Sequence, residues 1–221
     1  MLCVHGATGT GAYEWSELAT ALADRYRFIT PDLRGHGNSE YRGGKTGINE
    51  VNDDLLALLQ HEHVARPHVL AFSFGSEAAL ELEMTHPGTS ASLILLSPGL
   101  ADPKAVLPTR QQLEAGWPRA LRHLHTEQHG EAHWLDLAVE LCERSGRRPK
   151  TDLAAVAAIG CPILLIVGNN DDRRRVRYAR TIEEVHRASR LVVIDGARHS
   201  VHKECRDHVA TVILEFLDEL T

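Results

Sequence analysis

Apolar runs of strand length alternate along this chain with stretches patterned as amphipathic helices, and few folds accommodate that alternation. Residues 2–5, 28–30, 68–72, 92–97, 163–167 and 191–194 read as strands, and the sequence predicts helices near 12–23, 48–61, 76–85, 178–186 and 205–220. Val51, Leu55, Leu58 and Leu59 fall on one face of the second helix, and Val209, Val212, Ile213 and Phe216 on one face of the last. Apolar strands joined by helices form a mostly parallel sheet with helices on both faces, because each face of the sheet must be covered. The expected class is therefore α/β.

The rhythm breaks between residues 99 and 159. Pro98, Pro103, Pro108, Pro118 and Pro149 punctuate helical stretches rich in Arg and His, and about sixty residues is too long for a simple connection. The expected organisation is a core formed by 1–98 and 160–221, with a small helical cap, 99–159, inserted over it. Within the cap, Arg110, Arg119, Arg122, His123 and Arg144 lie among Trp117, Trp134, Leu121, Leu124 and Leu135. They read as a solvated basic face on amphipathic helices more readily than as a pocket for an acidic substrate.

Composition narrows the function classes. The 24 basic and 30 acidic side chains give a net charge of −6 over 221 residues, opposite to the basic surplus of a nucleic-acid binder. No apolar run approaches the ~18–20 residues that cross a bilayer, and the first residues lack the basic start and long apolar stretch of a secretory signal. Cys3, Cys142, Cys161 and Cys205 are scattered, three of them in or beside apolar segments, and read as buried free thiols. His125, His129 and His133 recur every four residues and would share a helix face, but no cysteine or suitably placed carboxylate accompanies them. No metal and no cofactor are expected, and the partner is a small-molecule substrate, with no nucleic acid and no membrane. A cytoplasmic location is expected; the oligomeric state is left open.

Four segments carry chemistry, each at the C-terminal end of an expected strand. In Ala71-Phe72-Ser73-Phe74-Gly75 a strand stops at a serine and turns into a helix, which exposes the hydroxyl above the sheet edge. Small residues flank such a turn because strand and helix backbones approach closely, and alanine stands at 71 where glycine is usual. Gly196-Ala197-Arg198-His199 places an imidazole after the last strand, where it can reach Ser73 and take its proton. His202, one helical turn further, is the weaker candidate. Gly168-Asn169-Asn170-Asp171-Asp172 offers a carboxylate to orient the histidine and stabilise its charged form. Asp171 is the first choice and Asp172 the second. His5-Gly6-Ala7-Thr8-Gly9 follows the first strand, and a tetrahedral intermediate needs pre-placed donors for its oxyanion. The backbone amides of Phe74 and Ala7 are the expected pair, with Thr8 as the alternative to Ala7; His5 is expected to hold the loop.

The order Ser, Asp, His, with each at a strand end, resembles the α/β-hydrolase superfamily over nearly the whole chain. Pro31-Asp32-Leu33-Arg34-Gly35-His36-Gly37-Asn38-Ser39 looks like that family's loop after the second strand, and the resemblance implies a structural role there, with no catalytic step for Asp32, Arg34 or His36. Relatives usually begin with an antiparallel pair of strands that is missing before residue 1, so the resemblance implies either a shortened sheet or a start upstream of Met1. Serine at 73 separates the chain from relatives that attack epoxides or alkyl halides with aspartate. The implied activity is cleavage of an ester-type bond through an acyl-enzyme. Carbon–carbon bond hydrolysis, lyase or perhydrolase chemistry, and a ligand-binding member without catalysis are the alternatives.

Overall fold

The computed structural model describes residues 1–40, 46–101, 107–116 and 119–220. Along the chain run β1 (Leu2–Val4), α1 (Gly11–Leu22), α2 (Ile48–His61), β2 (His68–Phe72), α3 (Phe74–Thr85) and β3 (Ser92–Leu96). The segment between β3 and the next strand holds α4 (Arg110–Gly116), α5 (Arg119–Arg122), α6 (Thr126–His129), α7 (His133–Gly146) and α8 (Leu153–Ala157). Then follow β4 (Ile163–Gly168), α9 (Arg173–Val185), β5 (Ser189–Ile194), α10 (Val201–Glu204) and α11 (Arg206–Asp218).

The five strands lie in the order β1-β2-β3-β4-β5, every ladder parallel. Alternate side chains go to opposite faces. Val4, Ala71, Leu95 and Leu165 meet α2, α3 and α9 on one face; Cys3, Leu70, Ile94 and Ile166 meet α1 and α11 on the other. Trp15 and Leu18 of α1 and Val209 and Ile213 of α11 are fully or nearly fully buried there. The α/β class with helices on both faces is thus the observed architecture.

The expected strand at 28–30 is reduced to one residue. Ile29 bridges Leu2 in parallel, through Cys3 N–H to the Ile29 carbonyl (2.8 Å) and Ile29 N–H to the Met1 carbonyl (2.9 Å). Pro31 has no amide to carry a ladder further. Two helices begin earlier than expected, α3 at Phe74 and α9 at Arg173. Two of the three arginines that open α9 are engaged: Arg174 pairs with Asp172, and Arg175 reaches Glu77 and the Ser97 carbonyl, both at 3.3 Å.

The segment between β3 and β4 is tied to the sheet layer at several points. Thr46 N–H donates to Glu140, Arg144 bonds Glu50, and Arg148 bonds Glu77 and Glu81 of α3. Leu113, Trp134, Leu135 and Ala138 form its own small apolar cluster. Trp117 and Pro103 lie outside the described residues. Among the described residues, no helix is long and apolar enough to cross a membrane.

Candidate active site

The chain leaves β2 at Phe72 and turns at once into α3, with Ser73 at the turn. Its φ of +50° and ψ of −112° lie where residues with a Cβ seldom go, so neighbouring contacts must hold the strain. A Cβ on Gly75 would stand 2.4 Å from the Val4 carbonyl oxygen and 2.6 Å from that of His5; glycine lets α3 cross the end of β1 this closely. Ala71 is fully buried, its methyl accommodated. The Ser76 hydroxyl bridges the carbonyls of Ala71 (2.8 Å) and Leu96 (3.1 Å), a clamp on the turn with no distinguishing signal in the sequence.

His199 follows β5 after Gly196, whose φ of +75° makes the turn. Its Nε2 is 3.1 Å from Ser73 Oγ, and its Nδ1 is 3.0 Å from each carboxylate oxygen of Asp171. With Nδ1–H donated to the carboxylate, Nε2 accepts from the Ser73 hydroxyl. The Asp171 side chain is 3% exposed and that of His199 43%, so the acid is enclosed while the base faces outward. Burial works to raise the Asp171 carboxyl, but the hydrogen bond and charge of His199 and the Asp172 amide outweigh it and leave it below the ordinary value.

The second-choice acid faces elsewhere. Asp172 caps α9, accepting from Arg174 N–H at 2.9 Å and pairing with the Arg174 guanidinium, contacts that hold its carboxyl down at about 2. His202 is also directed away from Ser73; its Nε2 lies 2.8 Å from Glu14 Oε1, both side chains buried. Ser97, at the end of β3 with φ +46°, donates its hydroxyl to the His199 carbonyl at 2.7 Å. A Cβ on Gly168 would meet the Ala197 carbonyl oxygen at 2.1 Å, which packs the aspartate loop directly against the histidine loop.

The loop after β1 passes beside the serine: a Cβ on Gly6 would sit 2.9 Å from the Phe72 ring and 3.6 Å from Ser73 Cβ. A turn closes where Gly9 N–H donates to the Gly6 carbonyl (3.3 Å), and among the described residues the amides of Ala7 and Phe74 have no backbone partner. His5 holds this loop, with Nε2 accepting from Leu33 N–H (2.9 Å) and Nδ1 donating to Gly6 O (2.7 Å). Asp32 links the same region, accepting from Gly11 N–H (2.8 Å) and Asn38 N–H (3.0 Å).

His125, His129 and His133 do not share one helix face. His125 ends a short 3-10 turn, His129 ends α6 and His133 begins α7, with Gly130 at φ +87° between them. His125 and His133 instead reach backbone carbonyls of Thr8 (3.2 Å) and Gly35 (2.7 Å). Among the described residues, no group of three or more His, Cys, Asp or Glu side chains is placed to hold a metal ion. A cavity of about 490 Å³ adjoins Phe74 and is lined further by Thr46, Ile48, Arg144 and Arg147.

A parallel sheet covered on both faces, with a strained serine after its second strand and a histidine and aspartate at neighbouring strand ends, defines the class of α/β-hydrolases. The chain belongs to the alpha/beta hydrolase family, whose model matches residues 1–212. It is 27% identical over 229 positions to a pimeloyl-(acyl-carrier protein) methyl ester esterase of Aeromonas hydrophila, covering 90% of this chain and 88% of that one. It is 24% identical over 254 positions to the magnesium-chelatase 30 kDa subunit of Rhodobacter capsulatus, covering 99% and 86%. Among solved structures, the enol-lactonase of Burkholderia xenovorans LB400 superposes with a TM-score of 0.81 at 20% identity, over 98% of this chain and 90% of that one.

Proposed function

We propose that this enzyme cleaves an ester-type bond of a small molecule through an acyl-enzyme, with Ser73 as nucleophile, His199 as general base and Asp171 as its orienting acid. The observation that carries the reading is the unbroken run of hydrogen bonds from Asp171 through both ring nitrogens of His199 to Ser73 Oγ. A serine hydroxyl attacks a carbonyl poorly until its proton is removed, and His199 Nε2 is within reach of that proton. As the proton moves, the imidazolium gains the enclosed Asp171 carboxylate as counter-charge. The negative oxygen of the tetrahedral intermediate is received by the amides of Ala7 and Phe74. His199 then protonates the departing alcohol, and a water activated by the same base releases the acid.

In this reading residues 99–159 are a cap over the strand ends. The printed names of relatives span ester cleavage and other bonds, so the bond type is decided by a graded panel of acyl and alcohol groups. With activated esters, Ser73→Ala lowers kcat by about 10⁴-fold or more while the unfolding transition is retained. Full activity in that variant contradicts the assignment. Asp171→Asn, which leaves the volume unchanged, lowers kcat by about 10⁴-fold, whereas Asp172→Asn leaves it within about threefold of the parent.

A further inference from the structure

An amide serves an oxyanion only if its peptide plane is held at a fixed tilt, and the loop at residues 5–10 belongs to no helix or strand. Three imidazoles supply that hold. His5 donates from Nδ1 to the Gly6 carbonyl at 2.7 Å. His36 stands 3.0 Å from the Ala7 carbonyl at Nε2 and 3.0 Å from the Arg34 carbonyl at Nδ1, and as a neutral ring donates to one of them at a time. His125 accepts Gly37 N–H at Nδ1 (2.8 Å), which fixes its proton on Nε2, from where it is donated to the Thr8 carbonyl at 3.2 Å. Three consecutive carbonyls, of Gly6, Ala7 and Thr8, are each met by an imidazole. In a trans peptide the C=O and the next N–H point in opposite directions, so holding these oxygens orients the amides of Ala7, Thr8 and Gly9.

The rings stand in a file, with centroids 4.8 Å apart between His5 and His36 and 5.4 Å between His36 and His125. The first two belong to the loops after β1 and around residues 31–39. The third comes from the segment between β3 and β4 and is only 2% exposed. We propose that His125 is a positioning residue for the Ala7 amide: the Thr8 carbonyl it grips shares a peptide plane with Gly9 N–H, which bonds the Gly6 carbonyl of the plane that carries Ala7 N–H. His125 grips the Thr8 carbonyl and the Gly37 amide together and is the loop's outermost anchor. The inference rests on the serine-hydrolase reading for its catalytic consequence, while the anchoring itself does not.

Two amide side chains separate the two bonds of His125. In His125→Gln the amide nitrogen falls near the place of Nε2 and keeps a donor for Thr8; in His125→Asn the amide oxygen falls near Nδ1 and keeps only the acceptor for Gly37. Loss of a whole oxyanion donor costs about 10²–10³ in kcat, so a mis-tilted one costs about 10- to 100-fold. The expected result is that loss in kcat for His125→Asn and His125→Ala, with KM changed less than about threefold, and recovery of most of kcat in His125→Gln. Exchange of the Gly9 amide, followed by NMR without substrate, accelerates about tenfold or more in Asn and Ala and stays near the parent in Gln. The inference is overturned if that exchange is the same in all three variants. It is also overturned if kcat in Asn and Gln falls equally and in step with the unfolding midpoint. A parent protein that turns over no ester removes the serine-hydrolase reading instead, and the exchange measurement still decides the anchoring.

Discussion

Ser73, His199 and Asp171 come together because each ends a strand of one parallel sheet, and the same logic made two of them legible. A serine between small residues after an apolar run, and a histidine after the last run, stand at places where the chain must leave the sheet. Asp171 was preferred to Asp172 only by its place three residues after Gly168, since both lie within four residues of the end of β4. The local turn separates their surroundings: Asp171 N–H bonds back to the Gly168 carbonyl (3.2 Å), and the next residue becomes the cap of α9. Nor did the sequence mark Ser97, Ser76 or Glu14, whose importance comes from partners remote in the chain. Glu14 of α1 meets His202 beneath the Phe72 ring, which stands 4.6 Å from His202 and 4.9 Å from His199. Removing one member of a buried pair leaves the other without its partner, so Glu14→Ala and His202→Ala each destabilise by about 3 kcal/mol in urea unfolding. The double variant Glu14→Ala with His202→Ala costs clearly less than the sum of the single losses. Additive losses would show that the two side chains stabilise independently.

At the scale of elements, the alternation of apolar runs translated directly into β2, β3 and β4, which are buried on both faces, and into α2, whose apolar stripe of Ile48, Val51, Leu55 and Leu59 packs against the sheet layer. The run at 28–30 shrank to the single bridge of Ile29, since β1 has only three residues and Pro31 ends the pairing. The helical spacing of His125, His129 and His133 was misleading because Gly130 at φ +87° breaks the segment. The close crossing of α3 over the end of β1 was visible only as a glycine two residues after the serine. In the structure the obstacles at Gly75 are the backbone carbonyls of Val4 and His5, which cannot rotate away as a side chain would. Gly75→Ala must push α3 off β1, and a destabilisation of about 2–3 kcal/mol is expected, with loss of kcat well beyond it. An unchanged unfolding midpoint in that variant would contradict the crossing geometry.

For the molecule as a whole, the segment between β3 and β4 is fastened to the sheet layer by histidines as well as by ion pairs, and that choice makes the fastening sensitive to acid. Burial holds His5 and His36 below the ordinary imidazole value, and burial together with the facing His36, His133 and His129 holds His125 at about 4. In the unfolded chain such rings protonate near 6.5, so between about 6.5 and about 4 the unfolded state binds more protons. Stability therefore falls as pH is lowered through that window, and His125 contributes no further loss below it. Chemical denaturation at pH 7 and pH 5 should show the midpoint drop at the lower pH, and His125→Gln should flatten the dependence. A parent midpoint constant across the window would contradict it. The central claim concerns Ser73 itself and is tested by reaction with a fluorophosphonate followed by mass-spectrometric mapping of the adduct. The account predicts one adduct per chain, located on Ser73, absent in Ser73→Ala and slowed by about 10³-fold or more in His199→Ala. An adduct elsewhere, or none on the folded parent protein, would contradict it.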